Sequence, residues 1–320
     1  MYKTSEIVEQ YGITESRLKE YIIEQNIPVV NEEISKKYFQ TILSFIENTE
    51  DRIEKKLKKA EATFKYNSGK NKVSIYQDDA ISFLKKLPSN SVDVITTDPA
   101  YSGMNDKLKL GKGRIVGKYA DKGKENGKWF GEFEDSEENY NKFLSECSRV
   151  LKKSTGHIYI MFDSYSLLSL GNVVRSHFNV KNLITWYKVN IGMGHYFRRR
   201  HEYIIFATNG NTRKIRNRKF PDVWRFKRIH SSKYPTQKPV EVFQAMLHAS
   251  TVDNFTVCAP FLGSASSAIA AIKNNCNYIG CDISDKSIEI SNSRISEFLE
   301  TGKDNIQTKS MAVNDKIFWE

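Results

Sequence analysis

The segment "TTDPAYSG", Thr96 to Gly103, closes the apolar run "SVDVI" with an acid, a proline, a small residue and a tyrosine. An exocyclic amine on a nucleobase is a poor nucleophile, because its lone pair is delocalised into the ring. A site that methylates such an amine must accept hydrogen bonds from both N–H groups, so that the nitrogen can pyramidalise. Asp98 offers one acceptor and the carbonyl of Pro99 the other; proline also fixes φ and adds no competing N–H. Tyr101 adds a face on which a base can stack, an interaction worth about 1–3 kcal/mol per base. Standing alone, the same residues read as an ordinary Asp-Pro turn.

A second constellation lies downstream. In "CAPFLGSASSAIAA" a strand runs into Gly263 and small residues open a helix, and in "YIGCDIS" Asp282 closes the next strand. This is a Rossmann-type arrangement: glycine permits a tight turn and close ligand approach, and an acid roughly 20 residues on can meet ribose hydroxyls. Any α/β protein can carry a strand–glycine–helix turn, so this pattern is also not decisive by itself.

Taken in order, "TDPAY", "WYK" with "RHEYII", "YPTQKP" and "APFLGSAS" resemble the β-type bacterial DNA amino-methyltransferases, over roughly residues 72 to 300. The resemblance implies a Rossmann-like mixed β-sheet fold, S-adenosylmethionine as cofactor and DNA as substrate. It implies that Asp98, Pro99 and Tyr101 are catalytic and that Asp79 lies near the cofactor's adenine. Thr236, Gln237, Lys238, Phe261, Gly263 and Ser264 would line the cofactor pocket, with Asp282 on the ribose. Asp at the head of the catalytic motif implies adenine N6 as the target, with cytosine N4 as the alternative. Either base must leave the stack to reach Asp98. "RHEYII" lacks the second histidine of HExxH, so His201 and Glu202 are not a zinc pair and no metal is expected.

The chain departs from the family pattern at three positions. Ala100 stands where a second proline is usual, Ala259 where the cofactor motif has an acid, and Ala265 where it has a second glycine. The missing acid motivates a rival reading, a DNA-binding regulator on an inactive methyltransferase fold.

The elements that must position these residues follow from periodicity. Residues 1–47 read as two short helices and a wing, resembling a helix-turn-helix module, in which Ser16, Arg17 and Lys19 would face DNA. Residues 48–71 read as a charged helical linker, 72–300 as the alternating α/β methyltransferase domain and 301–320 as a tail. Residues 102–131 hold seven of the seventeen glycines, mixed with lysines, and read as a functional loop.

The net charge of +11 favours a polyanionic partner. Three basic clusters could track phosphates: Lys107, Lys109, Lys112 and Arg114; Arg198, Arg199 and Arg200; and Arg216 with Arg218. Trp129, Phe130 or Tyr196 could wedge or stack beside them. No apolar stretch approaches the roughly 18 residues of a membrane span. Four cysteines without CxxC pairing read as buried free thiols in a cytoplasmic protein. A cognate restriction endonuclease and a homodimer are further partners that this reading admits.

Overall fold

The structure is a computed structural model, and it describes residues 2–11, 15–24, 26–39, 41–42, 62–68, 71–99, 133–134, 136–192, 196–210, 213–216, 219–229, 234 and 237–305. Alternating patterns such as "HIYIMF" give strands with two distinct faces, and stripes such as Tyr140, Phe143, Leu144, Cys147 and Val150 give helices with one apolar face. The result is a sheet of nine strands covered by helices on both sides.

In chain order the large sheet comprises β4 (Phe64–Asn67), β5 (Lys72–Gln77), β6 (Val94–Thr97), β7 (Gly156–Phe162), β8 (Asn179–Tyr187), β9 (His201–Asn209), β10 (Val223–Arg225), β11 (Thr256–Ala259) and β12 (Asn277–Asp282). Across the sheet the order is β10-β8-β9-β7-β6-β11-β12-β5-β4. β7, β6, β11, β12 and β5 are parallel, while β9 and β4 run against their neighbours. β6 and β11 therefore end side by side, at the edge where parallel α/β sheets place ligands.

Successive residues feed two cores. Val73, Val94, Tyr159, Met161, Val257 and Tyr278 face α6 (Val240–Ser250), α7 (Ser266–Lys273) and α8 (Asp285–Thr301). Ile95, Ile158, Ile160, Cys258, Ile279 and Cys281 face α3 (Ala80–Lys86), α4 (Glu137–Val150) and α5 (Ser164–His177). All four cysteines are free and buried. No described helix is long and apolar enough to cross a membrane.

Two expectations are corrected here. Phe64–Asn67, read as the end of the connecting helix, is the edge strand β4, antiparallel to β5. Val223–Arg225, which follow the basic cluster of Arg216 and Arg218 and where no strand is expected, are the opposite edge strand β10, in which Trp224 is buried. Short charged edge strands carry little periodic signal, and pairing across the sheet decides them.

The N-terminal residues form a small unit of their own. α1 (Thr4–Tyr11) and α2 (Glu15–Glu24) stand beside an antiparallel sheet of β1 (Tyr2–Lys3), β3 (Glu33–Ile34) and β2 (Val29–Val30), in the order β1-β3-β2. Ile7, Leu18, Ile22, Ile27, Ile34 and Ile42 make its core.

Candidate active site

Asp98 follows β6 directly, and Pro99 behind it is buried. The Asp98 Oδ2 accepts from Lys238 Nζ at 2.5 Å. Lys238 lies just ahead of α6, where Pro239 is the helix cap and cannot donate an N–H of its own. The Lys238 carbonyl accepts from Ser266 Oγ at 2.7 Å, which fastens this segment to the start of α7.

Lys238 serves a second carboxylate. Its Nζ is 3.8 Å from Glu202 Oε2, and Glu202 Oε1 takes Lys188 Nζ at 2.9 Å. Four alternating charges thus run from Lys188 at the end of β8, through Glu202 in β9 and Lys238, to Asp98. Burial pushes the Asp98 carboxyl above the ordinary aspartate value; Lys238 opposes this and Glu202 adds to it. Burial works against the Lys238 ammonium, but Asp98 and Glu202 outweigh it and hold it above an ordinary lysine. For Glu202, burial is outweighed by Lys238 and Lys188, and its carboxyl sits below the ordinary value.

The cofactor-type loop lies next door. After β11, Gly263 takes φ +54° and Ala265 takes φ +65° at the cap of α7. The Gly263 N–H donates to Asp282 Oδ2 at 2.9 Å and the Ser284 N–H to Asp282 Oδ1 at 3.0 Å. Burial raises the Asp282 carboxyl above its ordinary value, and those bonds partly offset it. Tyr234 packs against Gly263, its hydroxyl 3.4 Å from where a β-carbon would sit, and shares a 3.1 Å hydrogen bond with Ser287.

Behind this loop lies a buried arginine. Arg294 Nη1 donates to the Ser264 carbonyl at 2.6 Å and to Ser266 Oγ at 3.0 Å. Its Nε and Nη2 make a forked pair with Asp304, at 3.0 and 2.6 Å.

The expected site residues therefore divide. Asp98, Pro99 and Lys238 converge, and Gly263, Ser264 and Asp282 form the neighbouring loop, which Ser266 joins to Lys238. Gln237, beside Lys238, is buried. Phe261 turns toward α4, its ring 5.0 Å from Phe133 and 5.5 Å from Phe143. Asp79 caps α3, accepting from the Ser82 N–H at 2.9 Å. Ala259 is buried at the end of β11, beside Gly280. Arg198, Arg199 and Arg200 stand in the β8–β9 hairpin.

Arg216 lies at the opposite edge of the sheet, donating to the Thr251 carbonyl at 2.8 Å behind α6. Tyr101, Thr236, Lys107, Lys109, Lys112, Arg114, Arg218, Trp129 and Phe130 lie outside the described residues. So do the side chains of Ser16 and Arg17 and most of the linker helix and tail. Sequence reasoning missed Glu202, Lys188, Tyr234 and Arg294 as parts of the site. The motifs "WYK" and "RHEYII" held the first two in view, but nothing local says that they meet Lys238.

Comparison with known proteins places this chain in a family. The chain matches the family model for N6/N4 DNA methylases over residues 92–293, and it belongs to that family. The type II methyltransferase M2.MboI of Moraxella bovis is 29% identical over 265 residues, spanning 76% of this chain and 95% of that protein. M2.DpnII of Streptococcus pneumoniae is 28% identical over 256 residues, spanning 72% of this chain and 92% of that protein. Among solved structures, TTHA0409 of Thermus thermophilus complexed with S-adenosylmethionine superposes with a TM-score of 0.51 at 16% identity, covering 71% of this chain and 96% of that one. The cytosine-N4-specific PvuII methyltransferase superposes at 0.50 with 12% identity, covering 68% of this chain and 84% of that one. These likenesses establish the fold.

Proposed function

We propose that this DNA methylase transfers a methyl group from S-adenosylmethionine to the N6 amino group of adenine in DNA. The observation that carries the reading is the split use of Asp98: Oδ2 is held by Lys238, which leaves Oδ1 to accept a target N–H. With the Pro99 carbonyl taking the second N–H, the nitrogen lone pair is freed to point at an incoming methyl group. Asp98 then faces the positive charge that develops on nitrogen, and its contribution grows toward the transition state.

The loop residues suit the cofactor. Each Asp282 oxygen holds one backbone N–H, the Ser287 hydroxyl also bonds to this carboxylate, and the remaining lone pair would take a ribose hydroxyl. S-adenosylmethionine, when bound there, supplies an electrophilic methyl group whose C–S bond breaks as the N–C bond forms. Tyr101 is proposed to hold the flipped base. The N-terminal unit, the lysines of the glycine-rich segment and Arg198–Arg200 are proposed to carry DNA contact. A cognate endonuclease would suit the type II names of the relatives.

Cytosine N4 is a second reading, since the same two acceptors serve either amine and the family covers both. Transfer of a labelled methyl group to mixed DNA tests activity, and nucleoside mass spectrometry identifies the base. N6-methyladenine is expected. N4-methylcytosine alone would overturn the base, and no transfer would favour the regulator that Ala259 motivates.

A further inference from the structure

The hairpin joining β8 to β9 carries an exposed aromatic pair: Tyr196 is 93% exposed and Phe197 fully so, at 105%. Of the arginines beside them, Arg198 and Arg200 turn back onto the stem and Arg199 turns onto the start of α5. Arg198 Nε donates to the Gly192 carbonyl at 2.7 Å. Arg199 Nη1 donates to Asp163 at 3.0 Å, and its guanidinium lies 5.0 Å from the Tyr165 ring. Arg200 donates to the Val189 carbonyl at 3.2 and 2.6 Å, 5.0 Å from the Tyr187 ring. Backbone bonds from Lys188 N to Arg200 O and from Gly192 N to Arg199 O close the stem, at 2.7 and 2.8 Å. The rings are exposed, and among the described residues the shaft beside them is braced.

The hairpin also stands in a particular place. β8 runs parallel to β7 and β6, so the hairpin leaves the sheet at the edge where Asp98 lies. Its base residues, Lys188 and Glu202, belong to the charge chain that reaches Asp98. Extended chain from His201 to Phe197 reaches about 13 Å at roughly 3.3 Å per residue. The major groove of B-DNA is about 8.5 Å deep. Three arginines below the rings and the chain's charge of +11 match a polyanion rather than an apolar protein face.

We propose that Phe197, with Tyr196 beside it, is the wedge that enters the base stack and fills the gap when the target nucleotide turns out toward Asp98. Apolar and aromatic wedges unstack base steps in this way. On this assignment the first duty of Arg198, Arg199 and Arg200 is to stiffen the hairpin, and their outward N–H groups remain for phosphates. The inference rests on the reading of the protein as an active DNA methyltransferase that flips its target.

The test uses the full chain and a duplex oligonucleotide carrying a site that the wild-type protein is found to methylate. A second duplex has an abasic position opposite the target, so that the target is already unpaired. Phe197→Ala is expected to lower the single-turnover rate on the paired duplex about tenfold or more, and the abasic duplex should restore it to within about threefold of wild type. Phe197→Trp should keep most of the rate. A Phe197→Ala protein as fast as wild type on the paired duplex would overturn the wedge, as would a slow one that the abasic duplex does not rescue. Failure of the underlying reading would look different, because the wild-type protein itself would then be inert.

Discussion

Lys238 Nζ lies 2.5 Å from Asp98 Oδ2, although 140 residues of chain separate them. This ion pair binds the end of β6 to the start of α6 and occupies one of the two carboxylate oxygens. It also makes Asp98 one end of a chain of charges, so its ionisation depends on Lys238 and Glu202.

If Asp98 acts on the chemical step, Asp98→Ala should lower the methylation rate by at least about 100-fold, the usual scale for losing one preorganised electrostatic partner. DNA and S-adenosylmethionine affinities should change much less, since other segments build those contacts. Single-turnover kinetics beside equilibrium binding measure both. Near-normal methylation by the variant would remove Asp98 from the mechanism.

The charge chain predicts opposite pH shifts from two neutralising substitutions. Asp98 accepts hydrogen bonds as a carboxylate, so activity is present above its pKa and lost below it. Lys238 lowers that pKa and Glu202 raises it. Lys238→Met should therefore move the acid limb of the rate profile to higher pH, and Glu202→Gln should move it to lower pH. Profiles at saturating cofactor check the pair; shifts of the same sign would contradict the coupling.

Ala265 carries a β-carbon at φ +65°, a left-handed conformation that costs an L-residue roughly 1–2 kcal/mol. Ala265→Gly should relieve that cost, less the entropy glycine gains in the unfolded chain, for a net gain of up to about 1 kcal/mol. Gly263→Ala, at φ +54°, should destabilise. Urea unfolding of the two variants reads both signs, and a loss on Ala265→Gly would count against strain at the α7 cap.

At the far edge of the sheet, His157 Nδ1 lies 2.7 Å from Ser250 Oγ and Nε2 lies 3.0 Å from the Arg213 carbonyl. Burial, and then the Arg213 charge, push its pKa from an ordinary 6.5 down to about 3. The unfolded chain takes up a proton near pH 6.5 and the folded one does not, so stability is full above that pH and falls as the medium is acidified. At pH 5 the loss from this group is about 2 kcal/mol. His157→Gln should flatten the dependence, as urea titrations at pH 7 and pH 5 would reveal.

What could be read in the sequence was local. "TTDPAY" announced a strand with a carboxylate at its exit, and "APFLGSAS" a loop beside a strand, because residue type and period sit within a few positions. β4 and β10 were not legible, since three or four residues at a sheet edge are defined by their partners. Glu202 and Lys188 became part of the site only through Lys238, which the fold brings to them. Ser264 and Arg294 are 30 residues apart, and their contact has no local trace.

Arg294 ties the segment around Asp304 to the loop that follows β11. The same guanidinium holds the Ser264 carbonyl on one side and Asp304 on the other. Cutting the chain before Asp304 would leave a buried cation half-satisfied behind the loop, a costly state that the loop can escape only by moving. If the loop holds S-adenosylmethionine as proposed, fastening of the chain near Asp304 and occupancy of the loop are linked by mass action: the bound cofactor should protect residues around Asp304 from proteolysis, and clipping there should weaken its binding.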